Sequence, residues 1–173
     1  MSHQEHKEAS PKSVNCAVLT FSDSRTEQTD ESGKLLCQKL SENGHRVLAY
    51  AVLKDDSEAI RRKLDELLGQ DELLGQDELQ VIITNGGTGI GRRDVAVETV
   101  SAFLEKTLDG FGELFRSLSY QEIGTASIMS RAVAGVAKGK VIICLPGSPG
   151  AARLAIDKIV LPEIGHMVRE VSK

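Results

Sequence analysis

The sequence predicts an α/β protein with a mostly parallel sheet and helices on both faces. Short apolar runs, which suit buried strands, alternate along the 173 residues with longer segments whose apolar residues recur at helical spacing. Loops rich in glycine, hydroxyl and acidic residues follow several of these runs. Because parallel strands are joined by right-handed crossovers, helices cover both faces of such a sheet. The length fits one domain, predicted for residues 14–173 after a disordered polar tail over residues 1–13.

The first half of the predicted domain holds two pairs of a strand and a helix. A strand is predicted where a short apolar run, too short for a core helix, is bounded by polar residues. A helix is predicted where leucines recur on one face and a glycine ends the segment. Ser57 suits the N-cap of the second helix. In order, the predicted elements are strand Asn15–Phe21, helix Asp30–Asn43, strand Arg46–Leu53 and helix Ala59–Leu68.

The second half begins with the best candidate for a central strand. Two apolar segments around Ala137-Lys138-Gly139-Lys140 suit a hairpin that would form a small antiparallel edge, although a helix is an alternative for the first segment. Pro162 should break or restart the terminal helix. The predicted elements are strand Leu79–Thr84, helices Val95–Leu104 and Gly112–Gln121, hairpin arms Ala132–Val136 and Val141–Leu145, and helix Ala151–Ile159.

The six residues ELLGQD occur twice in succession, at 66–71 and 72–77. Six residues are too few for a repeat of the solenoid kind. We interpret the second copy as an elongated helix end or a surface loop.

Composition argues against several classes of function. A net charge of -4 gives no basic field of the kind that binds nucleic acid or an anionic membrane. No apolar run approaches a membrane span, and the first twenty residues lack the order of a secretory signal, so a cytoplasmic protein is expected. The cysteines form no CxxC pair and are interpreted as free thiols, and His3 and His6 have only the spacing of a weak metal pair in the polar tail.

The loops after four predicted strands are the candidates for a binding site. In an open doubly wound sheet, ligands bind beyond the carboxyl ends of the strands, where loops from different strands converge. These loops are Thr20–Arg25, Lys54–Ser57, Asn85–Asp94 and Pro146–Gly150.

The loop Asn85–Asp94, with the sequence NGGTGIGRRD, has the features of an anion site. Its glycines expose successive backbone N–H groups, and two arginines follow them before a predicted helix. It matches neither the dinucleotide fingerprint, since Arg92 replaces the third glycine, nor a Walker A loop, which needs a Lys-Ser/Thr pair. A tight structural turn is the alternative. The loop Pro146–Gly150 would complete a bipartite cradle, although Ser148 and Pro149 also suit a rigid helix start.

Acidic residues beside these loops suggest a cation. A carboxylate next to a bound phosphate is unfavourable unless a cation lies between them, so Asp55 and Asp94 are candidates to share Mg²⁺ with phosphates. Helix capping is the alternative, favoured for Asp56 and open for the other two. No Ser-His-Asp arrangement is recognisable, so covalent catalysis is not indicated. An apolar stripe at helical spacing suits a core or a subunit interface, and consists of Phe111, Leu114, Phe115 and Leu118.

Four sequence blocks carry a resemblance to a known family. They are Gly86–Gly89 with Arg93–Val95, Gly110–Glu113 with Phe115–Arg116, Ser130–Gly135, and Leu145–Pro149. In this order they closely resemble the molybdopterin-binding family of molybdenum cofactor biosynthesis, the MoaB/Mog proteins. The resemblance runs from about Asn15 to Gly165, and Glu122–Thr125 together with Lys54 resembles the MoaB branch.

The resemblance implies a three-layer α/β/α fold that assembles as a homotrimer or, as a dimer of trimers, a homohexamer. It implies adenylylation of molybdopterin: the terminal phosphate attacks the α-phosphate of Mg·ATP, giving adenylylated molybdopterin and pyrophosphate. Asp55 and Asp94 match the acidic positions tied to this reaction, with Asp55 as the Mg²⁺ ligand. The positions that line the pterin and phosphate site are matched by Ser22, Asp23, Gly86, Gly87, Thr88, Gly89 and Ser148.

Two hypotheses follow. The first is a molybdopterin adenylyltransferase with ATP as co-substrate and Mg²⁺ as cofactor. The second is a non-catalytic molybdopterin-binding or carrier protein of the same fold. It is motivated by Ala96-Val97, where the family usually has Thr-Pro, a change that leaves Asp94 as a possible substitute helix cap. Both hypotheses predict molybdopterin binding, so pyrophosphate release separates them.

Overall fold

A computed structural model of the chain describes residues 10–69 and 78–173. Residues 1–9 of the predicted tail, with His3 and His6, and the whole second ELLGQD copy lie outside the described residues. At the described end of the tail, Ser10 and Pro11 lie against Gly165 near the C-terminus. Within the described ranges, every helix is too short or too polar to cross a membrane.

Strands and helices alternate along the described residues, as the sequence predicts. A 3₁₀ segment, Gly124–Met129, follows the fourth helix, and a π-helical segment, Ile156–Val160, joins the last two helices. In chain order the elements are β1 (Asn15–Phe21), α1 (Glu31–Glu42), β2 (Arg46–Leu53), α2 (Ser57–Gly69), β3 (Val81–Asn85), α3 (Ala96–Ser101), β4 (Lys106–Thr107), α4 (Asp109–Ile123), β5 (Val133–Ala137), β6 (Lys140–Leu145), α5 (Pro149–Ala155) and α6 (Leu161–Val171).

The strands form one sheet in the order β2-β1-β3-β6-β5-β4. The pairs β1·β2, β1·β3 and β3·β6 are parallel, whereas β5 is antiparallel to both β6 and β4. The mostly parallel sheet with a small antiparallel edge is therefore confirmed. Because the four parallel strands end at the same edge, the loops after β1, β2, β3 and β6 leave the sheet side by side.

Two apolar layers enclose the sheet. Successive strand residues point to opposite faces, so Cys16 and Val18 of β1 join the cluster under α1, α4, α5 and α6, whereas Ala17 and Leu19 join the cluster under α2 and α3. This arrangement confirms the three-layer α/β/α fold. In the predicted apolar stripe of α4, Phe111 and Phe115 are buried core residues and Leu118 packs against the core, whereas Leu114 is exposed.

Several element boundaries differ from the prediction for local reasons. Helix α2 starts at Ser57, but Asp56 is its cap, because the Asp56 carboxylate accepts the Ala59 N–H at 2.9 Å. The predicted Ser57 cap is therefore wrong. Helix α3 is only six residues long, and the two-residue strand β4 was not predicted because its exposed side chains carry no apolar pattern.

The hairpin of β5 and β6 is confirmed, and the helical alternative for its first arm is wrong. Lys138 and Gly139 form its turn with φ values of 46° and 73°. Two consecutive positive φ angles are typical of a type I′ turn, whose twist matches that of the strands. At the C-terminus, Pro162 stands in the first turn of α6, where the π-helical segment passes into α-helix without a break, so the predicted interruption of the helix does not occur.

Candidate functional site

A cleft of about 330 Å³ lies at the carboxyl ends of β1, β3 and β6. Three of the four candidate loops, Thr20–Arg25, Asn85–Asp94 and Pro146–Gly150, contribute residues to it. The loop after β2 lies behind the cleft, against Gly87. The lining residues are Thr20, Phe21, Ser22, Ser24, Arg25, Gly86, Gly87, Thr88, Gly89, Asp94 and Gly147.

Glycine is required where these loops meet, because their backbones touch. Gly86 has a φ of 92°, and a Cβ there would lie 2.2 Å from the Phe21 carbonyl oxygen. A Cβ on Gly147 would lie 2.9 Å from the Gly86 Cα. Larger residues would push the loops apart. The cleft floor is therefore bare backbone, which gives a bound anion access to N–H groups.

Arg25 supplies a cation to the cleft. Its Nη1 donates to the Gly147 carbonyl at 3.0 Å and to Ser32 Oγ at 3.2 Å. Ser32 Oγ also donates to the Gly147 carbonyl at 2.8 Å. Arg25 and Ser32 thus tie the loop after β6 to the loop after β1. The arginines emphasised by the sequence analysis, at positions 92 and 93, are exposed and do not line the cleft.

A buried carboxylate, Asp30, fixes the start of α1 beneath Arg25. It accepts hydrogen bonds from Thr20 Oγ1 at 2.6 Å, Tyr50 Oη at 2.8 Å and the Gly33 N–H at 3.0 Å. Burial and the bond to Asp30 raise the pKa of the Tyr50 hydroxyl. With three donors and Arg25 at 3.8 Å, this carboxylate is a satisfied structural group. Sequence reasoning missed it because nothing local distinguishes it from an ordinary helix cap.

Asp55 has a different environment. One carboxylate oxygen, Oδ1, is buried and has no hydrogen-bond partner among the described residues. Burial raises the pKa of this carboxyl, the Val95 N–H partly offsets that effect, and the charges of Asp94 and Asp23 raise it further. The Asp55 N–H donates to Asp23 Oδ1 at 3.3 Å. The side chain also fills the space where Gly87 would carry a Cβ.

The acidic residues fit a divalent cation that phosphates would help to hold. No three His, Cys, Asp or Glu side chains of the described residues converge closely enough to form a metal site by themselves. Mg²⁺, however, is usually bound through one or two carboxylates together with substrate phosphates. The orphaned Asp55 oxygen and the nearby Asp94 would supply that donor set.

Asp94 is not the substitute helix cap that the Ala96-Val97 segment suggested. Its Oδ2 accepts the Gly91 N–H at 2.8 Å within the loop, and α3 starts without a side-chain cap. Asp94 therefore closes the turn that follows the glycines and lines the cleft.

Ser148 does not line the cleft. Its Oγ accepts the Ala151 N–H at 3.2 Å, and Pro149 stands in the first turn, so the predicted rigid helix start is confirmed. Asp23, likewise predicted to line the site, contacts the Asp55 backbone beside the cleft. The other predicted substrate-binding residues, Ser22 and Gly86–Gly89, line it.

The sequence indicates Arg131 only as part of Ser130–Gly135, one of the four blocks that carry the family resemblance. Its Nε donates to the Thr88 carbonyl at 2.9 Å and its Nη2 to the Gly89 carbonyl at 2.6 Å. The same guanidinium pairs with Glu98 on α3. Because Arg131 precedes β5, more than forty residues from the loop, only the fold brings them together.

The three cysteines are free, and burial raises the pKa of Cys16 to about 12 and the pKa values of Cys37 and Cys144 to about 11. Thiols with such pKa values are poor nucleophiles at neutral pH.

Comparison with known proteins gives matches over nearly the whole chain. Residues 17–166 match the family described as "probable molybdopterin binding domain". Molybdenum cofactor biosynthesis protein B of Bacillus cereus is 48% identical over 174 residues, which cover 100% of this chain and 99% of that protein. A crystal structure of a molybdenum cofactor biosynthesis protein B is 48% identical, with a TM-score of 0.84 over 94% of this chain and 98% of the other. The tungsten cofactor synthesizing protein MoaB from Pyrococcus furiosus is 32% identical, with a TM-score of 0.82 over 94% of this chain and 99% of the other.

Proposed function

The chain belongs to the molybdopterin-binding family of molybdenum cofactor biosynthesis proteins, and on that premise we propose that it binds molybdopterin in the cleft and adenylylates it with Mg·ATP. The observation that carries the proposal is the position of Asp55. Its carboxylate oxygen Oδ1, which has no partner in the described part of the chain, lies against Gly87 of the glycine loop that would hold a phosphate. A stability role does not explain this arrangement, because a buried oxygen without a donor destabilises the fold.

The reaction asks the protein to align two polyanions. A terminal phosphate oxygen of molybdopterin attacks the α-phosphorus of ATP, the bond from that phosphorus to the bridging oxygen breaks, and pyrophosphate leaves. The substrate supplies the nucleophile, so the chain needs no nucleophilic side chain of its own. Its contribution is positioning and electrostatic stabilisation, which together dominate catalysis of phosphoryl and nucleotidyl transfer.

The cleft and the loop after β2 behind it each have a role in this proposal. The N–H groups of the loop Gly86–Gly89 and the Arg25 guanidinium would hold the pterin phosphate. Asp55, with Asp94 beside it, would hold Mg²⁺ against the ATP phosphates. Bound there, Mg²⁺ would neutralise phosphate charge and stabilise the leaving pyrophosphate. Its charge would also offset the repulsion between the carboxylates and the phosphates.

A non-catalytic molybdopterin-binding or carrier protein is the second candidate. It is supported by the short helix α3, which starts without a side-chain cap at Ala96-Val97, where the family usually has Thr-Pro. It is also supported by Asp94, whose carboxylate accepts a hydrogen bond from the Gly91 N–H in its own loop. In this case the cleft would hold the pterin, and no pyrophosphate would be released.

The test is the Asp55→Asn variant, assayed for pyrophosphate release and for molybdopterin affinity. Asparagine keeps the size of the side chain and removes the charge. We expect kcat to fall at least about 100-fold, because a metal-bound carboxylate contributes several kcal/mol to the transition state. Molybdopterin affinity should stay within about twofold, since the loop amides and Arg25 are unchanged.

Two results would argue against this assignment. Unchanged turnover in Asp55→Asn would remove Asp55 from the mechanism. A wild-type protein that binds molybdopterin tightly and releases no pyrophosphate would establish the carrier function instead.

A further inference from the structure

Arg131 contacts the backbone of the glycine loop at two points. Its guanidinium binds the carbonyl oxygens of Thr88 and Gly89 at 2.9 and 2.6 Å. In a trans peptide the C=O group and the following N–H group point in opposite directions, and the described residues contain no cis peptide. The N–H groups of Gly89 and Ile90 therefore point away from Arg131.

A third carbonyl of the loop is fixed in the same way. The Ala96 N–H, at the start of α3, donates to the Gly87 carbonyl at 3.0 Å. By the same geometry the Thr88 N–H points away from α3. The three N–H groups that follow these carbonyls have no acceptor among the described residues. These three carbonyls are thus satisfied by protein, and the N–H groups that follow them remain available to a ligand.

Arg131 approaches the loop from outside the cleft. Gly87, Thr88 and Gly89 line the cleft, and Arg131 does not. The guanidinium is itself held by Glu98, through Nη1 to Oε1 and through Nη2 to Oε2 at 3.3 Å. Three guanidinium nitrogens therefore act at once, on two carbonyls and one carboxylate. Lysine carries a single ammonium group and cannot reproduce this planar pattern.

We propose that Arg131 is a positioning residue, which holds the Thr88 and Gly89 carbonyls on the outer side of the loop so that its N–H groups face a phosphate in the cleft. Glu98 orients Arg131. The inference rests on the proposed function for the identity of the ligand, a phosphate-bearing pterin. The orientation of the loop itself does not depend on that identity.

The experiment compares Arg131→Lys with Arg62→Lys, the same chemical change in an exposed ion pair on α2. The first measurement needs no ligand: the NMR order parameters of the Gly89 and Ile90 amides, which share peptide planes with the two carbonyls that Arg131 binds. Rigid backbone gives about 0.85 and flexible backbone less than about 0.6. Both values should be high in the wild type and in Arg62→Lys, and low in Arg131→Lys. Unchanged values in Arg131→Lys would overturn the proposal.

The second measurement is molybdopterin affinity, well below the unfolding temperature of each variant. Residues that orient ligating groups at metal sites typically contribute about 10- to 100-fold to affinity, and we expect Arg131→Lys to bind at least about tenfold more weakly. Mobile amides with affinity within twofold of the wild type would also overturn the proposal. If the wild type itself does not bind molybdopterin, the proposed function fails, and the order parameters alone decide the role of Arg131.

A second variant covers the case in which Arg131→Lys does not fold. Glu98→Gln keeps Arg131 and alters an exposed side chain. It should lower the order parameters of the Gly89 and Ile90 amides, by a smaller amount than Arg131→Lys does. A folded Glu98→Gln protein with the order parameters of the wild type would contradict the role of Glu98 in orienting Arg131.

Discussion

At the scale of single residues, Asp30 and Asp55 show how two nearby aspartates can have opposite roles. Asp30 is fully buried, yet it accepts three hydrogen bonds and has a cationic neighbour, so its burial is compensated. Asp55 is less buried, but one of its oxygens has no donor among the described residues, and it has two acidic neighbours. Strained or uncompensated groups of this kind concentrate at functional sites.

Because the Asp55 carboxylate is partly buried beside two other acids, we predict that removing its charge stabilises the free protein. In the folded protein the pKa of the Asp55 carboxyl is raised above its ordinary value of 3.8, mainly by burial. Above the raised pKa the ionised carboxylate therefore disfavours folding, and this penalty disappears as the pH falls through the raised pKa toward 3.8. Asp55→Asn should unfold at a higher temperature than the wild type at pH 7, and the two melting temperatures should converge near pH 4.

The adjacent residue provides the control for that measurement. Asp56 caps α2, and asparagine caps helices about as well as aspartate, so Asp56→Asn should melt close to the wild type. An Asp55→Asn variant that is less stable than the wild type at pH 7 would show that the carboxylate stabilises the free protein.

At the scale of elements, the hairpin of β5 and β6 offers a test of local geometry. Lys138 is the only described non-glycine residue with a positive φ, 46°, at a position of the type I′ turn where asparagine is preferred. Lys138→Asn should raise the free energy of unfolding by a few tenths of a kcal/mol to about 1 kcal/mol. Chemical denaturation would measure it. Lys138→Ala removes the same side chain without the left-handed preference, so a stabilisation by alanine of equal size would contradict the turn argument.

Every strand except β4 and the chemistry of the loops could be predicted, because both depend on local sequence. Apolar runs of strand length give β1 and β2 with the observed boundaries, and the rule for open sheets brings the loops after β1, β3 and β6 to one cleft. The partners of Arg25 and Arg131 could not be predicted, because they act across the fold on the backbone of distant loops. Backbone carbonyls leave no signal in a sequence.

The glycine loop shows the same limit in more detail. Its ability to bind an anion is visible in its glycines, but the cation of the cleft was sought at Arg92 and Arg93 and is found at Arg25. Arginines that are adjacent to the glycine loop in sequence therefore do not face the cleft, whereas an arginine from the loop after β1 does. The side chains of 92 and 93 leave the loop on its exposed side after Gly91 turns the chain back to Asp94.

At the scale of the whole molecule, the described surface carries more exposed large apolar side chains than scattered surface residues require. Four of them are close in sequence, at the end of α4 and in the following 3₁₀ segment. These are Tyr120, Ile123, Ile128 and Met129, with exposed fractions of 58, 53, 78 and 50%. The sequence pointed to the earlier part of α4, but there Phe111 and Phe115 belong to the core and only Leu114 is exposed.

Surfaces of this kind are typical of subunit interfaces, because apolar side chains gain by leaving water. We therefore predict an oligomer held together through the end of α4 and the 3₁₀ segment.

Static light scattering at micromolar concentration should give three or six times the chain mass of 18.7 kDa. Ile128→Asp places a charge at the most exposed of these side chains and should lower the mass below that of the wild type, because an unpaired charge in an apolar interface is strongly unfavourable. Arg62→Asp, on the exposed face of α2, is the control and should leave the mass unchanged. A wild-type protein of 18.7 kDa would contradict the prediction, and an Ile128→Asp protein with the wild-type mass would place the interface elsewhere.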